Sequence, residues 1–370
     1  MPTATSPPNF VLRHPTPDEL TYIRTLHAAC WAGPLTVSQY LSREVHIAST
    51  PLTRNGGLAQ WVLVDSLSGQ VLASCETIRK VAAMSNPPID GQKVVPVEEV
   101  VAHGIGSVFT PPECRGKGYA RIMLTLLGER LKYHNGEAAG FSALYSDIGK
   151  EFYTKLGWLP HRSSHIDIPV PSVPASPTTN TPHVEPLYHG DIASLCALDI
   201  AAVKAKLSTC NPKPRIAFLP DHETIDWHHN REEFIASCVR PTSGVPKVKG
   251  AIARDGLRWI MWGRDFNLDD PKLYILRVVN LGDQVGLAAD MDAMLRAAVD
   301  EAAKWGLKKV CVWNPDQGLV ESAKRVAGSE VQVEDREMDS IASLMMYGEA
   351  KAGSGVEDVE WVFNEKFGWC

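Results

Sequence analysis

The chain has 370 residues, 44% of them hydrophobic and 22% charged, enough for two domains that each bury a core. Its net charge of −6 argues against a nucleic-acid or anionic-membrane surface, and no apolar run reaches the length of a membrane span. The eight cysteines show neither a Cys-x-x-Cys pair nor histidines at zinc spacing, so they read as reduced cytoplasmic thiols and no metal is expected.

Met1–Asn9 lacks a secretory apolar region. Phe10–Arg13 reads as a first strand, and Thr16-Pro17-Asp18-Glu19 as a helix start with proline just inside it. Leu20, Ile23, Leu26, His27 and Cys30 then mark an amphipathic helix, and a second is expected over Val37–His46. Strands follow at Ala59–Asp65 and Gln70–Arg79, joined by a Ser-Leu-Ser-Gly turn. Alternation in the second puts Glu76 on one face with Leu72 and Ser74, where a carboxylate binds an amine, accepts a proton or simply meets solvent. Met84–Val97, with proline and glycine, reads as a loop placed to act as a lid or insertion.

The most informative stretch begins with a strand over Glu99–Phe109 and ends with a helix over Tyr119–Tyr133. Between them lies Thr110-Pro111-Pro112-Glu113-Cys114-Arg115-Gly116-Lys117-Gly118, a tight basic turn. Such a turn gathers unpaired backbone amides at a helix N-terminus, and the glycines let an oxygen-rich group approach them. A Walker A loop needs Ser or Thr after its lysine, but Gly118 follows Lys117. A dinucleotide loop needs three spaced glycines, and only two are present. A plain surface turn also fits Arg-Gly-Lys-Gly taken alone; the flanking strand and helix favour a pyrophosphate cradle.

Arg115-Gly116-Lys117-Gly118-Tyr119-Ala120 resembles the Gln/Arg-x-x-Gly-x-Gly/Ala loop of the GNAT acetyltransferases. Leu144 to Trp158, with Tyr153 four residues before Gly157, is similar to the strand end and short helix that close the site in that superfamily. The wording Ser-Val-Phe-Thr-Pro-Pro and Leu-Tyr-Ser-Asp-Ile-Gly, together with the long second half, is most like the fungal lysine N-epsilon-acetyltransferases. The resemblance implies a mixed-sheet α/β GNAT fold using acetyl-CoA as co-substrate. Its cofactor residues are then Val108, Phe109, Thr110, Arg115, Gly116, Lys117, Gly118, Tyr119, Ala120, Ser146 and Phe152. It implies Tyr153 as the acid for the leaving thiolate, and His103 as first choice of base ahead of Glu76, Asp147 and a terminal carboxylate on Cys370. Trp31, Tyr40 and Glu44 become acceptor-side candidates, although Trp31 and Tyr40, taken singly, read more readily as core.

The strand Gly140–Tyr145, the short helix Gly149–Leu156 and a last strand Ser164–Val170 complete a first domain over 1–168. A proline-rich linker occupies 169–183. The second half, 184–370, repeats the order: a helix Asp191–Leu207, strands Val248–Ile252, Leu257–Arg264 and Lys272–Asn280, a helix Leu287–Trp305, a strand Lys309–Trp313 and a helix Leu319–Val326. That order reads as a second, degenerate GNAT-like α/β domain that shapes the substrate site, since Leu281-Gly282-Asp283-Gln284 lacks the cradle. Asp221–His229 is a dense polar cluster, readable as a pocket wall or as the start of an exposed helix. The aromatics Trp361, Phe363, Phe367 and Trp369 imply a packed C-terminal segment.

The expected activity is direct acetyl transfer to a small primary amine, free lysine or a similar amino acid, by a monomer or homodimer. Two alternatives stand beside it: a protein or peptide N-acetyltransferase, and an acyl-CoA-binding sensor without turnover.

Overall fold

The computed structural model describes residues 10–89, 93–171, 184–348 and 358–369. After β1 (Phe10–Arg13), two helices open on reciprocal caps. The Thr16 hydroxyl accepts from the Glu19 amide and the Glu19 carboxylate accepts from the Thr16 amide, starting α1 (Pro17–Trp31). Thr36 and Gln39 repeat the box for α2 (Val37–Ala48). β2 (Leu58–Asp65) and β3 (Val71–Ser85) form a hairpin, and β3 runs on past Arg79, where the sequence suggested an end. Val95, in the supposed lid, is pinned by its amide to the Ser208 carbonyl at 2.9 Å. Then come β4 (Glu98–Phe109), α3 (Tyr119–Leu131), β5 (Tyr133–His134), β6 (Glu137–Ser146), α4 (Glu151–Thr154), β7 (Leu159–Pro160) and β8 (Ser164–Pro169).

The second half holds β9 (Val184–Tyr188), α5 (His189–Ser208), β10 (Arg215–Phe218), α6 (His222–Val239), β11 (Val248–Ala253), β12 (Arg258–Asp265) and β13 (Lys272–Asn280). It continues with α7 (Leu287–Lys304), β14 (Lys309–Trp313), α8 (Gln317–Ala327), β15 (Glu334–Asp335), β16 (Ile341–Met346) and β17 (Glu360–Trp361). Each half contains one parallel strand pair bridged by a helix, β4–α3–β6 and β13–α7–β14. The fold is therefore two GNAT-like α/β units in tandem, each built on a mixed sheet.

The sheets do not respect the order of the halves. The first runs β1-β2-β3-β4-β6-β16-β7, with β10 paired to β3 and β17 to β10; the second runs β15-β8-β14-β13-β12-β11-β9. Ser164–Pro169, expected to close the first sheet, instead pairs with β14 and β15 in the second, and β16 occupies the place beside β6. Alternation was legible in β8, but either sheet can bury its Ile166 and Ile168 face; the cluster with Val310, Leu319 and Ala323 is the one that does.

One apolar layer lies between α3 and the first sheet, built from Leu124, Leu127, Leu144 and Trp158. A second lies between the sheets, where Phe141 and Phe218 meet Trp259, Met261 and Leu276. The C-terminal aromatics Trp361 and Phe367 are buried in that inner layer, so the terminal segment is packed as its composition implied. No helix among the described residues is long and apolar enough to cross a membrane, and none of the described cysteines is bridged.

Candidate active site

β4 is deformed where the site begins. Ser107 has φ +52°, and the pairing with β3 slips between Glu76–Gly106 and Ser74–Phe109, the signature of a bulge. On the other edge, pairing with β6 stops at Ile105–Leu144. From Gly106 to Phe109 the edge facing β6 has no ladder partner among the described residues, so the two strands open a wedge.

The basic loop sits at the mouth of this wedge. The Cys114 amide donates to the Pro111 carbonyl and the Arg115 amide to Pro112. The next amide to find an acceptor is that of Ile122, on the Gly118 carbonyl at 3.1 Å. The amides of Gly116 through Arg121 donate to nothing among the described residues, a run of free donors at the positive end of α3. Gly116 and Gly118 have φ of +76° and +80°, and a Cβ on either meets nothing within 4 Å. Glycine is therefore required by the backbone angle; the room in front of the amides is there regardless. Two basic side chains brace the loop: Arg115 Nε donates to the Thr110 carbonyl and Lys117 Nζ to that of Glu113, both at 3.1 Å.

Around this loop, Phe109 is buried edge-on to His27 and Trp31, with ring centroids 5.1 and 6.0 Å away. Val108 and Ala120 are half-buried. Tyr119 packs edge-on to Phe10 at 5.5 Å. Across the wedge, the Ser146 hydroxyl donates to the Gly149 carbonyl at 2.7 Å and fixes the turn into α4. Phe152 there packs at 5.0 Å against Tyr153, which is 7% exposed. The Tyr153 hydroxyl makes no hydrogen bond among the described residues. Burial keeps it protonated by raising its pKa, helped by the nearby Cys75 and the Asp147 carboxylate. Asp147 itself accepts from the Ser340 amide at 2.9 Å.

Two of the side-chain candidates for the base, His103 and Glu76, stand on opposite faces of the first sheet. His103 pairs across the ladder with Arg79, three residues from Glu76 on the same strand, so parity separates them. His103 lines a small cavity of about 10 Å³ with Thr77, His134 and Asn135. Burial, then His134, lowers its pKa to about 4, and its Nδ1 is buried without a partner.

Glu76 points the other way, toward α1 and α2. It accepts from the Ser107 hydroxyl at 2.7 Å, anchoring it to the bulge, and from Gln60 Nε2 at 2.8 Å. Burial raises its pKa, and the neighbouring Glu44 charge adds to the rise. On this face Tyr40 is 2% exposed, and buried Glu44 is held by Arg43 at 2.6 Å. Trp31, the third acceptor-side candidate, lies edge-on to Phe109 instead.

α6 brings the polar cluster of residues 221–229 to the same side. Asp221 caps the helix, Trp227 packs with Ile78 of β3, and His228 Nε2 contacts the Phe367 carbonyl at 3.0 Å. The cluster thus faces inward, not outward. His189, His222 and Asp226 bring one ligand atom each within 4.8 Å of one another; spacing along the chain hides this trio because His189 enters from α5. Cys370 lies outside the described residues, although Trp369 before it packs at 6.2 Å from Trp227.

Several residues had no signal in the sequence. Lys366 is buried with its Nζ 3.9 Å from the Trp369 ring centroid, 4.4 Å from Trp313 and 4.5 Å from Tyr274. Lys80, on Glu76's face of β3, and Arg231 on α6 also emerge only from the fold; period-2 parity with Glu76 identifies the face of Lys80. A cavity of about 760 Å³ lies away from the cradle, at the corresponding β13–β14 opening of the second sheet, where pairing stops at Ile275–Val312. The loop there is clamped by Arg258, whose Nη2 donates to the carbonyls of Asp283 and Val285 at 2.7 and 3.0 Å.

Known proteins resemble this chain in sequence and fold. The family described as LYC1 GNAT-like C-terminal domain matches residues 165–370. A lysine acetyltransferase of Yarrowia lipolytica is 25% identical, over 96% of this chain and 98% of its own length. An uncharacterized protein of Saccharomyces cerevisiae, YGR111W, is 24% identical over 95% of this chain and 96% of its own. Among solved structures, a GCN5-related N-acetyltransferase from Kribbella flavida superposes with a TM-score of 0.54 at 15% identity, covering 91% of this chain and 71% of that one.

Proposed function

This chain belongs to the LYC1 GNAT-like family and is an acyltransferase of the GNAT fold, and on that premise we propose that it carries acetyl from acetyl-CoA to the side-chain amine of free lysine or a closely related amino acid. The observation that carries the reading is the run of free amides from Gly116 to Arg121 opening onto the β4–β6 wedge. Those amides, with Arg115 and Lys117 beside them, suit a diphosphate, and the bare β4 edge from Gly106 to Phe109 suits the amide groups of a pantetheine arm.

Each proposed step uses a residue of this chain. A β4 amide beside the bulge, near Val108, donates to the thioester oxygen as it gains charge. Glu76, directly or through a water, takes the proton that the amine must lose as its nitrogen bonds to the carbonyl carbon. As the carbon–sulfur bond breaks, the Tyr153 hydroxyl gives its proton to the departing thiolate. Glu76 is preferred to His103 because it is anchored to the bulge by Ser107 and shares its face with α1 and α2. The acetyl group passes directly between the two substrates. Cys75 is buried and its thiol pKa is raised, which disfavours a covalent thiolate intermediate there.

The test is release of CoA thiol from acetyl-CoA across amino acids, polyamines, amino sugars and peptides. The reading expects release with lysine and its relatives. Acetyl-CoA binding with no thiol released for any amine would leave a sensor instead.

A further inference from the structure

Arg231 lies on α6 one turn beyond Trp227, where the helix packs over α2 and the Glu76 face of β3. Among the buried arginines, Arg43 is matched by the carboxylate of Glu44, Arg264 by those of Glu232 and Glu301, and Arg277 by those of Asp199 and Glu365, while Arg336 is matched by backbone carbonyls. Arg231 is half-buried and makes no hydrogen bond or ion pair among the described residues. Its one partner is the Trp369 ring, 5.4 Å from the guanidinium carbon. A ring against the guanidinium leaves its N–H fork open, and a fork held this way matches a carboxylate. Burial and Arg43 lower the Arg231 pKa to about 10, whereas Asp265, Glu44 and Tyr40 favour its charge. Tyr40 lies on α2, which packs against α6, and its phenol feels the Glu76 charge. A cation without a carboxylate partner among the described residues and the carboxylate of Glu76, on elements that pack against each other through Trp227 and Ile78, are complementary in charge to a molecule with a carboxylate and an amine.

We infer that Arg231 holds the carboxylate of the acceptor amino acid, directing its side-chain amine toward Glu76. This rests on the transferase reading of the same site. It makes the site selective for an amino acid over the diamine that lacks the carboxylate.

Calorimetry on the full chain with CoA present, titrating L-lysine and 1,5-diaminopentane, tests the inference alongside KM measurements for both amines. Lysine is expected to bind at least roughly tenfold tighter than the diamine, the value of one charge-assisted pair. Arg231→Gln should weaken lysine roughly ten- to a hundredfold, shift the diamine less than about threefold, and leave the KM for acetyl-CoA in place; Arg231→Lys should restore part of the lysine affinity. Equal binding of the two ligands by the unaltered protein, binding of neither, or equal weakening of both in Arg231→Gln overturns it. The ligand comparison decides by itself if the variant does not fold. Acetylation of lysine and diamine alike would keep the transferase and remove this role; selective lysine binding without thiol release would do the reverse.

Discussion

Lys80 Nζ donates to the carbonyl of Gly368 at 2.8 Å, joining the third strand of the first sheet to the last turn of the described chain. Lys80 is 2% exposed and also reaches the Trp369 carbonyl at 3.3 Å. Replacing it with Met leaves buried carbonyls without their donor. Lys80→Met should cost about 2–3 kcal/mol in urea unfolding and lower kcat/KM for the amine, since Trp369 stands beside Arg231. Unchanged stability would show that the terminal segment is held by its aromatics alone.

Gly118 tests the cradle. At φ +80° an alanine is strained by about 1 kcal/mol, even though its methyl meets open space. Gly118→Ala should weaken CoA binding about tenfold in calorimetry, because the loop relaxes and turns its amides away. Binding that survives intact would place the diphosphate elsewhere.

Tyr153→Phe removes one hydroxyl from a buried site and should leave CoA affinity within about twofold. Turnover should fall on the order of 10²–10⁴-fold, the range for loss of a positioned acid. A variant as fast as the parent would reduce Tyr153 to packing against Phe152.

Glu76 gives a pH prediction. Burial and Glu44 raise its pKa, so the ionised form needed in a base accumulates only above the ordinary glutamate range. The acid limb of kcat/KM should therefore lie above pH about 4.5 and vanish in Glu76→Gln, with a loss of about a hundredfold or more at neutral pH. The same limb persisting in that variant would hand the role to another group.

Lys366 gives a stability prediction of the opposite kind. Burial lowers its pKa to about 7, although three ring faces favour the charged form. Between pH about 7 and about 10.5 the unfolded chain holds more protons than the folded one, so raising the pH through this window stabilises the fold. Relative to Lys366→Met, the parent should gain on the order of 3 kcal/mol across it, measured by urea melts at several pH values. Parallel pH profiles would mean that the rings carry the ammonium without penalty.

What the sequence revealed was local. The basic loop, the helix of Tyr153, the helix start at Thr16, and the alternation that sets Glu76 against Cys75 all follow from neighbours in the chain. His103 shows what such reading leaves open. Its distance from the loop was visible, but its face depends on the bulge at Ser107 and on which residue of β3 lies opposite. Arg231 and Lys366 were silent because a cation's meaning comes from what fails to pair with it or encloses it, and those partners are scattered from Tyr274 to Trp369. The exchange of β8 for β16 was invisible because both are short apolar strands that either sheet accepts.

That exchange bears on how the molecule is made. β16 sits between β6 and β7, with Ile341 opposite Ser146 and Leu344 opposite Leu159. During synthesis the helix bearing Tyr153 leaves the ribosome long before its neighbouring strand exists, and β6 waits with an open edge. A polypeptide stopped at the proline-rich stretch is missing a slat from its own sheet, so the front half cannot be harvested as a smaller enzyme. Completion of the first sheet thus waits on Ile341–Met346 of the second half, and until that strand arrives the edge of β6 is left open to other strands.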